Sequence, residues 1–388
     1  MTTPISRRFF LASACCAAAA PIVTPVSFAA VPGENRLLTI VLRGAMDGLA
    51  LLQPYGDPLL AQYRPKLALD PGSGLIDLDG FYGLNPEAKA LLPLWKAGEL
   101  AFVNAISTPY RSGRSHFDGQ DMLESGGASV ADEKTGWLNR AIATIPRSEA
   151  RKAIDVNTTS ALILTGPNPA DVWSTRADLD LAGDEVASLV RLYRNDPEFA
   201  AAMQEATKTD MSVDDIYEGA NRGAKMADIA KLAAGMLSRE YRIASFSVTG
   251  WDTHIGQVNT FRRPVRELCD AILSVKKNMP ADVWQKTAIL AITEFGRTAR
   301  ENGSGGTDHG TGGLAILAGG AVKGGKVYGE FPGLAENRLL DGRDLMPTTD
   351  LRQLAGAMLH QQFGVTAGDI GNTIFPGMTF DRSASYLR

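Results

Sequence analysis

The stretch Arg36–Arg43, RLLTIVLR, is an apolar and β-branched run of the kind that forms a buried strand. Similar runs recur along the chain at Leu100–Ile106, Ala161–Thr165, Ile243–Val248, Thr287–Thr293 and Leu314–Leu317. Helical stretches separate them, as expected when parallel strands are joined by crossover helices. The sequence therefore predicts an α/β fold with a mostly parallel sheet rather than a β-sandwich.

The helical candidates show apolar spacing of the 3.6-residue type. They lie at Pro86–Lys96, Ser115–Glu124, Glu185–Thr207, Asn221–Arg239, Val258–Lys277 and Thr349–Phe363. No repeat and no low-complexity linker breaks the pattern, so one large domain is the simplest account. We interpret Pro167–Met211 as a cap-like insertion in that domain.

The first 30 residues have the layout of an export signal. Arg7 and Arg8 form a twin-arginine pair, and a small-residue apolar stretch follows as far as Ala30. We expect cleavage near Ala29 or Ala30, with residues 31–388 as the mature α/β domain. The alternatives are an ordinary N-terminal helix and a lipid-attachment site at Cys15. We therefore expect the twin-arginine translocase as a partner, a periplasmic or secreted location, and no stable membrane anchor.

Charge and cysteine content narrow the classes of partner. The formal net charge of the chain is -4, and removing the signal takes away two arginines and no acid, giving -6. Nucleic acid and anionic membrane surfaces are therefore not expected as partners. Cys269 is the one cysteine outside the signal, so no intrachain disulfide is expected and the core must stabilise the fold.

Chemically capable side chains stand close to the ends of the predicted strands. Ligands of open parallel sheets bind beyond the carboxyl ends of the strands, so these side chains are expected at one edge of the sheet. Asp308 and His309 lie in the glycine-rich loop before the last run. The others follow their runs: Asp47, Ser115 with His116, Asp252 with His254, and Glu294.

Asp252 and His254, in the segment GWDTH, are two positions apart. On an extended segment both side chains point the same way, and a carboxylate with an imidazole suits zinc, manganese or iron better than calcium. The structural alternative is a capping aspartate beside a surface histidine. Their place after a buried strand favours a divalent metal site, with zinc or manganese expected.

His309 is surrounded by six glycines between Gly303 and Gly313. Glycine allows a backbone to approach a ligand closely, so the loop favours a binding role for His309. The alternative is a flexible surface loop. His360 lies in a helix-like stretch and is expected to be structural.

Ser115 begins a predicted helix, where it is either an N-cap or a nucleophile stabilised by the helix end and a metal. Arg114, with Arg111, offers positive charge for an anionic substrate group.

Asp47 and Glu294 end hydrophobic strands, where a carboxylate needs water, a partner or a metal. Metal binding is the functional possibility for both. Salt bridges from Asp47 to Arg43 and from Glu294 to Arg297 are the structural alternatives.

Several segments together resemble the bacterial domain-of-unknown-function 1501 (DUF1501) family. The most informative are LRGAMDGL (Leu42–Leu49), PYRSGRSHFDGQDMLESG (Pro109–Gly126), GWDTH (Gly250–His254) and EFGRTARENGSGGTDHGTGG (Glu294–Gly313). The resemblance implies an alkaline phosphatase-like and sulfatase-like fold, a three-layer α/β sandwich with a mostly parallel central sheet.

That superfamily resemblance also implies an ordered set of site residues. Asp47 matches the first metal-binding aspartate and Ser115 the nucleophile, while Asp252, His254 and His309 match later ligands. Glu294-Phe295-Gly296 stands where the superfamily has Asp-His-Gly, so one site loses an imidazole. That site is then empty, completed by His116, or filled by a harder ion.

The resulting leading hypothesis is an exported metal-dependent hydrolase of a phosphate or sulfate ester, acting on an anionic small molecule or saccharide. Ser115 or a water attacks, and an arginine, Arg114 or Arg297, balances the developing charge. The first alternative is a non-catalytic binding or assembly protein that keeps one metal site. A redox enzyme using one iron or copper ion is the second.

Overall fold

The computed structural model describes residues 26–29, 34–111, 113–145, 162–168, 170–173, 225–239 and 241–388. The helix expected at 185–207, nearly all of the expected cap-like insertion and most of the expected signal segment lie outside these residues. No helix in the described residues is long and apolar enough to cross a membrane.

Nine strands of the described residues form the main sheet. Their bounds are β1 Val26–Ala29, β2 Arg36–Leu42, β6 Leu100–Ser107, β7 Asp171–Trp173, β8 Ile243–Val248, β9 Thr287–Ile292, β10 Gly313–Ala318, β11 Lys326–Tyr328 and β12 Thr349–Asp350. The strand order is β11-β6-β10-β9-β2-β8-β1-β7, with β12 also paired to β6. A small second sheet contains β3 Leu52–Gln53, β5 Gly83–Leu84 and β4 Ile76–Asp77.

The centre of the sheet is parallel, because β2 pairs in parallel with both β8 and β9. β10 runs antiparallel to its neighbours β9 and β6. The start of β10 therefore lies at the edge where β9 and β6 end. This reversal brings the loop before β10 to the same edge as the loops that follow the parallel strands.

The α-helices of the described residues cover both faces of this sheet. Their bounds are α1 Gly48–Leu51, α2 Leu59–Tyr63, α3 Leu92–Lys96, α4 His116–Ser125, α5 Trp137–Thr144, α6 Met226–Ser238, α7 Gln257–Thr260, α8 Arg262–Asn278, α9 Ala281–Trp284, α10 Leu351–Phe363 and α11 Ala367–Asp369. A π-helix spans Ile370–Ile374, and short 3-10 helices span Pro71–Ser73, Pro86–Leu91, Leu162–Leu164 and Glu336–Arg338.

Alternating strand residues separate two large apolar cores. In β2, Leu38 and Ile40 belong to the core that also contains α6 and α8, whereas Leu37 and Val41 belong to the core with α5 and α10. A sheet with helices packed on both faces confirms the predicted mixed α/β class.

One predicted strand was wrong, and two predicted helices differ from the structure in type or in boundary. Leu162–Leu164 is a 3-10 helix rather than a strand, since a short apolar run fits either structure and packing decides between them. The segment 86–96 is a 3-10 helix followed by a short α-helix, and α10 begins at Leu351 because Asp350 caps it. Helix α5 was not predicted.

Val26–Ala29 forms β1, which pairs with β8 on one side and β7 on the other. Cleavage near Ala29 or Ala30 would remove this strand. It would leave one edge of β8 without its partner.

Asp47 and Arg64 form a buried ion pair at the end of β2. The Asp47 side chain is 1% exposed, and its Oδ2 lies 2.8 Å from Nη1 of Arg64. Arg64 also donates hydrogen bonds to the carbonyls of Ala299 and Thr298. The partner of Asp47 is therefore Arg64, and not Arg43 as the structural alternative had it.

Replacing Arg64 with methionine should lower the free energy of unfolding by about 3–5 kcal/mol, because it leaves a buried carboxylate without its cation. Urea unfolding of the purified protein measures this. The matched control is Arg263→Met: Arg263 is 85% exposed in its pair with Glu267, and the expected loss is below about 1 kcal/mol. Equal losses in the two variants would contradict the role of the buried pair.

Candidate metal centre

Three imidazoles surround the Asp252 carboxylate at the strand-end edge of the sheet. His254 Nε2 lies 3.0 Å from Oδ1 of Asp252, and His309 Nε2 lies 3.4 Å from the same oxygen. His116 Nε2 lies 3.4 Å from Oδ2. Ligand atoms of His116, Asp252 and His309 all fall within 4.8 Å of one another, close enough to share one metal ion.

Each of these imidazoles is held at its other nitrogen by an oxygen. Nδ1 of His116 lies 2.8 Å from Oε1 of Glu294, and Nδ1 of His309 lies 2.8 Å from the carbonyl of Arg114. Nδ1 of His254 lies 3.2 Å from Oδ1 of Asp308. A carbonyl or an ionised carboxylate only accepts, so each Nδ1 carries a proton, and each ring in its neutral form presents the Nε2 lone pair to the Asp252 side. Metal-binding histidines show this arrangement.

Two features of the Nε2 atoms fit a bound cation. Nε2 of His254 lies only 2.9 Å from Nε2 of His309, so two lone pairs face each other unless a proton or a metal ion lies between them. Ligand nitrogens of one tetrahedral zinc ion lie roughly 3.3 Å apart, from bond lengths of about 2.0–2.1 Å. Nε2 of His116 is a buried atom without a hydrogen-bond partner among the described residues.

The protonation of the carboxylates also suits cation binding. Burial raises the pKa of Asp252, but the hydrogen bond and the charge of Arg297 outweigh it and the net pKa is lowered. Burial likewise raises the pKa of Glu294, and hydrogen bonds from His116, Gln120 and Gly44 reverse the direction. Both carboxylates are therefore ionised at neutral pH.

The pKa values of His116 and His309 shift in opposite directions. The hydrogen bond to Glu294 raises the pKa of His116, whereas burial lowers the pKa of His309. Burial therefore favours the neutral form of His309, the form that can bind a metal.

Arg297 fastens the loops of this edge together. Its side chain is 0% exposed and donates to the carbonyls of Ala45, Gly44, Trp251 and Thr307, as well as to Oδ1 of Asp252 at 2.7 Å. It thus pairs with Asp252, and not with Glu294 as the structural alternative had it. The buried Arg297 side chain therefore ties Asp252 to these loops.

The glycine-rich loop is packed and not free at the surface. A Cβ atom at Gly306 would lie 2.4 Å from the backbone of His254, and one at Gly310 would lie 2.4 Å from the backbone of Arg297. Gly296 N also donates to the carbonyl of Thr311, and Thr298 N to that of Asp308. These close approaches bring His309 to Asp252.

The remaining predicted site residues lie around this group rather than in it. Asp47 pairs with Arg64, accepts from Gln257 and caps α1, and Glu294 anchors His116. The Ser115 hydroxyl accepts from the Asp118 amide as the N-cap of α4. Arg114 is exposed, with φ +50, and its carbonyl holds His309.

The sequence thus predicted Asp252, His254 and His309 as neighbours, and the structure brings them together. His116 had been considered only as a replacement for a missing imidazole. Its signal in the sequence was its place beside Ser115 at the end of β6, which carries the chain to the same edge.

Gly306→Ala should lower the free energy of unfolding by about 1–3 kcal/mol, because the added methyl group collides with the His254 backbone. Gly303→Ala is the matched control, since a Cβ atom there meets nothing within 4 Å, and its effect should stay within about 0.5 kcal/mol. Urea unfolding of both variants tests this, and a Gly306 variant as stable as the control would contradict the packed loop.

Comparison with known proteins gives one match. No curated protein and no solved structure matches the chain. A family model described as "Protein of unknown function (DUF1501)" matches residues 105–374, which include His116, Asp252, His254 and His309. The chain belongs to the DUF1501 family.

Proposed function

We propose that this protein is a metal-dependent hydrolase of a phosphate or sulfate ester, with its metal held by His116, Asp252, His254 and His309. The observation that carries the proposal is the convergence of three Nε2 atoms on one carboxylate while every Nδ1 is fixed by an oxygen.

The charges around the centre favour a divalent ion. Asp252, Glu294 and Asp308 bring three negative charges into contact with the imidazoles, and Arg297 brings one positive charge. With neutral imidazoles this leaves two negative charges, which a divalent cation neutralises. The nitrogen-rich donor set suits zinc, or manganese as the second choice.

When bound, such an ion supplies Lewis acidity and holds the anionic group of the ester. The chain's own residues do the rest. Arg297 keeps Asp252 ionised and oriented, and Arg114 lies exposed two residues before His116 with a charge that can meet an anion. Ser115 adjoins His116 at the start of α4, where the first-turn amides favour negative charge on an attacking oxygen.

Resemblance to the alkaline phosphatase and sulfatase superfamily supports the hydrolase class, and we propose that fold for this chain. We favour a one-metal version. Asp47, which matches the first metal-binding aspartate of the superfamily, is bound by Arg64 and Gln257, while Glu294 is bound by His116 and Gln120. The twin-arginine pattern at Arg7 and Arg8 is the basis for proposing export through the twin-arginine translocase.

The metal centre predicts one bound divalent ion per chain in protein purified without chelator. Asp252→Asn and His309→Ala should each lose that ion, because each removes a donor. His360→Ala is the matched control: His360 lies in α10 and bonds the Val365 carbonyl, so its loss should leave the metal content unchanged. Elemental analysis measures all four proteins, and full metal content in the Asp252 and His309 variants would overturn the assignment.

The hydrolase hypothesis predicts cleavage of 4-nitrophenyl phosphate or sulfate that a chelator abolishes and zinc or manganese restores. If Ser115 is the nucleophile, Ser115→Ala and Ser115→Asn should both lose several orders of magnitude in kcat. The asparagine variant keeps an N-cap, so loss in the alanine variant alone would show a capping role.

The second candidate is an exported binding or assembly protein that uses the metal only structurally. The cap bond of Ser115 and the phenyl ring of Phe295 in place of a histidine favour it. This candidate would be supported over the hydrolase if neither the zinc form nor the manganese form cleaves the esters and the protein unfolds when the metal is removed.

A further inference from the structure

Helix α4 presents three polar side chains in a line. His116, Gln120 and Glu124 are spaced four residues apart, so they share one face of the helix. Only His116 belongs to the metal centre proposed above. Glu124, at the other end of the line, is just 3% exposed.

Two side chains from outside the helix, Glu294 and Arg43, connect these three residues. Oε1 of Glu294 lies 2.8 Å from Nδ1 of His116 and accepts from Nε2 of Gln120 at 3.1 Å. Arg43 donates to Oε1 of Gln120 at 2.8 Å and pairs with Oε1 of Glu124 at 2.6 Å. The result is a continuous chain from His116 through Glu294, Gln120 and Arg43 to Glu124, which we call the α4 ladder.

The two groups on either side of Gln120, Glu294 and Arg43, fix the orientation of its amide. A guanidinium only donates and an ionised carboxylate only accepts. The amide of Gln120 must therefore turn its oxygen to Arg43 and its nitrogen to Glu294. A glutamate at position 120 would place one carboxylate against another.

The inner end of the ladder is attached to the interior of the fold. Oε2 of Glu124 accepts from the Ile163 amide at 3.1 Å, and Nε of Arg43 donates to the Ser247 hydroxyl at 2.9 Å. Ser247 lies in β8, the strand that leads to Asp252. The ladder therefore links α4, which carries His116, to β8, the strand that leads to Asp252.

We propose that Gln120, Arg43 and Glu124 are positioning residues of the metal centre. They hold α4 at the rotation where Nε2 of His116 faces Asp252, and they keep Glu294 aligned on Nδ1 of the same ring. This inference rests on the proposed metal centre. Outer partners of metal-bound histidines typically change metal affinity without contacting the ion.

The test compares two helix glutamines whose side chains each make two hydrogen bonds. Gln120→Leu removes two side-chain hydrogen bonds from α4, and Gln353→Leu removes two from α10, where Gln353 bonds the Thr379 carbonyl and the Asp381 amide. Zinc affinity of the full chain is measured by competition with a chromophoric chelator. Gln120→Leu should weaken binding by about 10–100-fold, while Gln353→Leu should match the wild type.

A second readout uses metal-free protein with nitrogen-15-labelled histidine. Nitrogen NMR should find His116 of the wild type with its proton on Nδ1, and a mixture of tautomers in Gln120→Leu. Wild-type zinc affinity in Gln120→Leu, or an equal loss in both glutamine variants, would overturn the inference. A wild-type protein that binds no divalent metal would overturn the proposed function. In that case, an unchanged His116 tautomer in Gln120→Leu would overturn the positioning role of the α4 ladder as well.

Discussion

The edge of the sheet that carries the site depends on the hydrogen bonds donated by the guanidinium of Arg297. It is buried at the end of β9 and donates to four backbone carbonyls from the loops after β2 and β8 and from the glycine-rich loop. Those carbonyls would otherwise be buried without donors, at a cost of about 1–3 kcal/mol each. The same group holds Asp252, whose carboxylate faces all three imidazoles. Loop packing and site chemistry are therefore coupled through one side chain.

The proposed metal centre differs from an ordinary buried polar network in the direction of its donors. In a fully hydrogen-bonded network, each acceptor lone pair faces the hydrogen of a donor. Here the Nδ1 atoms of His116, His254 and His309 each face a fixed oxygen, so in the neutral rings the Nε2 lone pairs point inward to Asp252. An inward-facing set of acceptors is stabilised by a cation, which is why the donor geometry argues for a metal more strongly than the residue types do.

The predicted site residues share one edge of the sheet in part for a reason that the sequence did not contain. The prediction was that polar residues following parallel strands share an edge. His309 precedes its strand instead, and it reaches the same edge only because β10 runs antiparallel to β6 and β9. Asp47 and Glu294 do lie at the expected strand ends, but a strand end does not determine the partner. Asp47 binds Arg64, and Glu294 anchors a histidine.

The sequence by itself determined the elements and the types of side chain available. Apolar runs gave the central strands, and the glycines of the 303–313 loop predicted close backbone approach, which Gly306 and Gly310 show. These features are local, because they depend on residue periodicity and on the absence of a Cβ atom. Which carboxylate meets which cation was decided only by the tertiary structure. Asp47 could have met nearby Arg43 but binds Arg64, since side-chain direction and burial depend on how distant segments pack against one another.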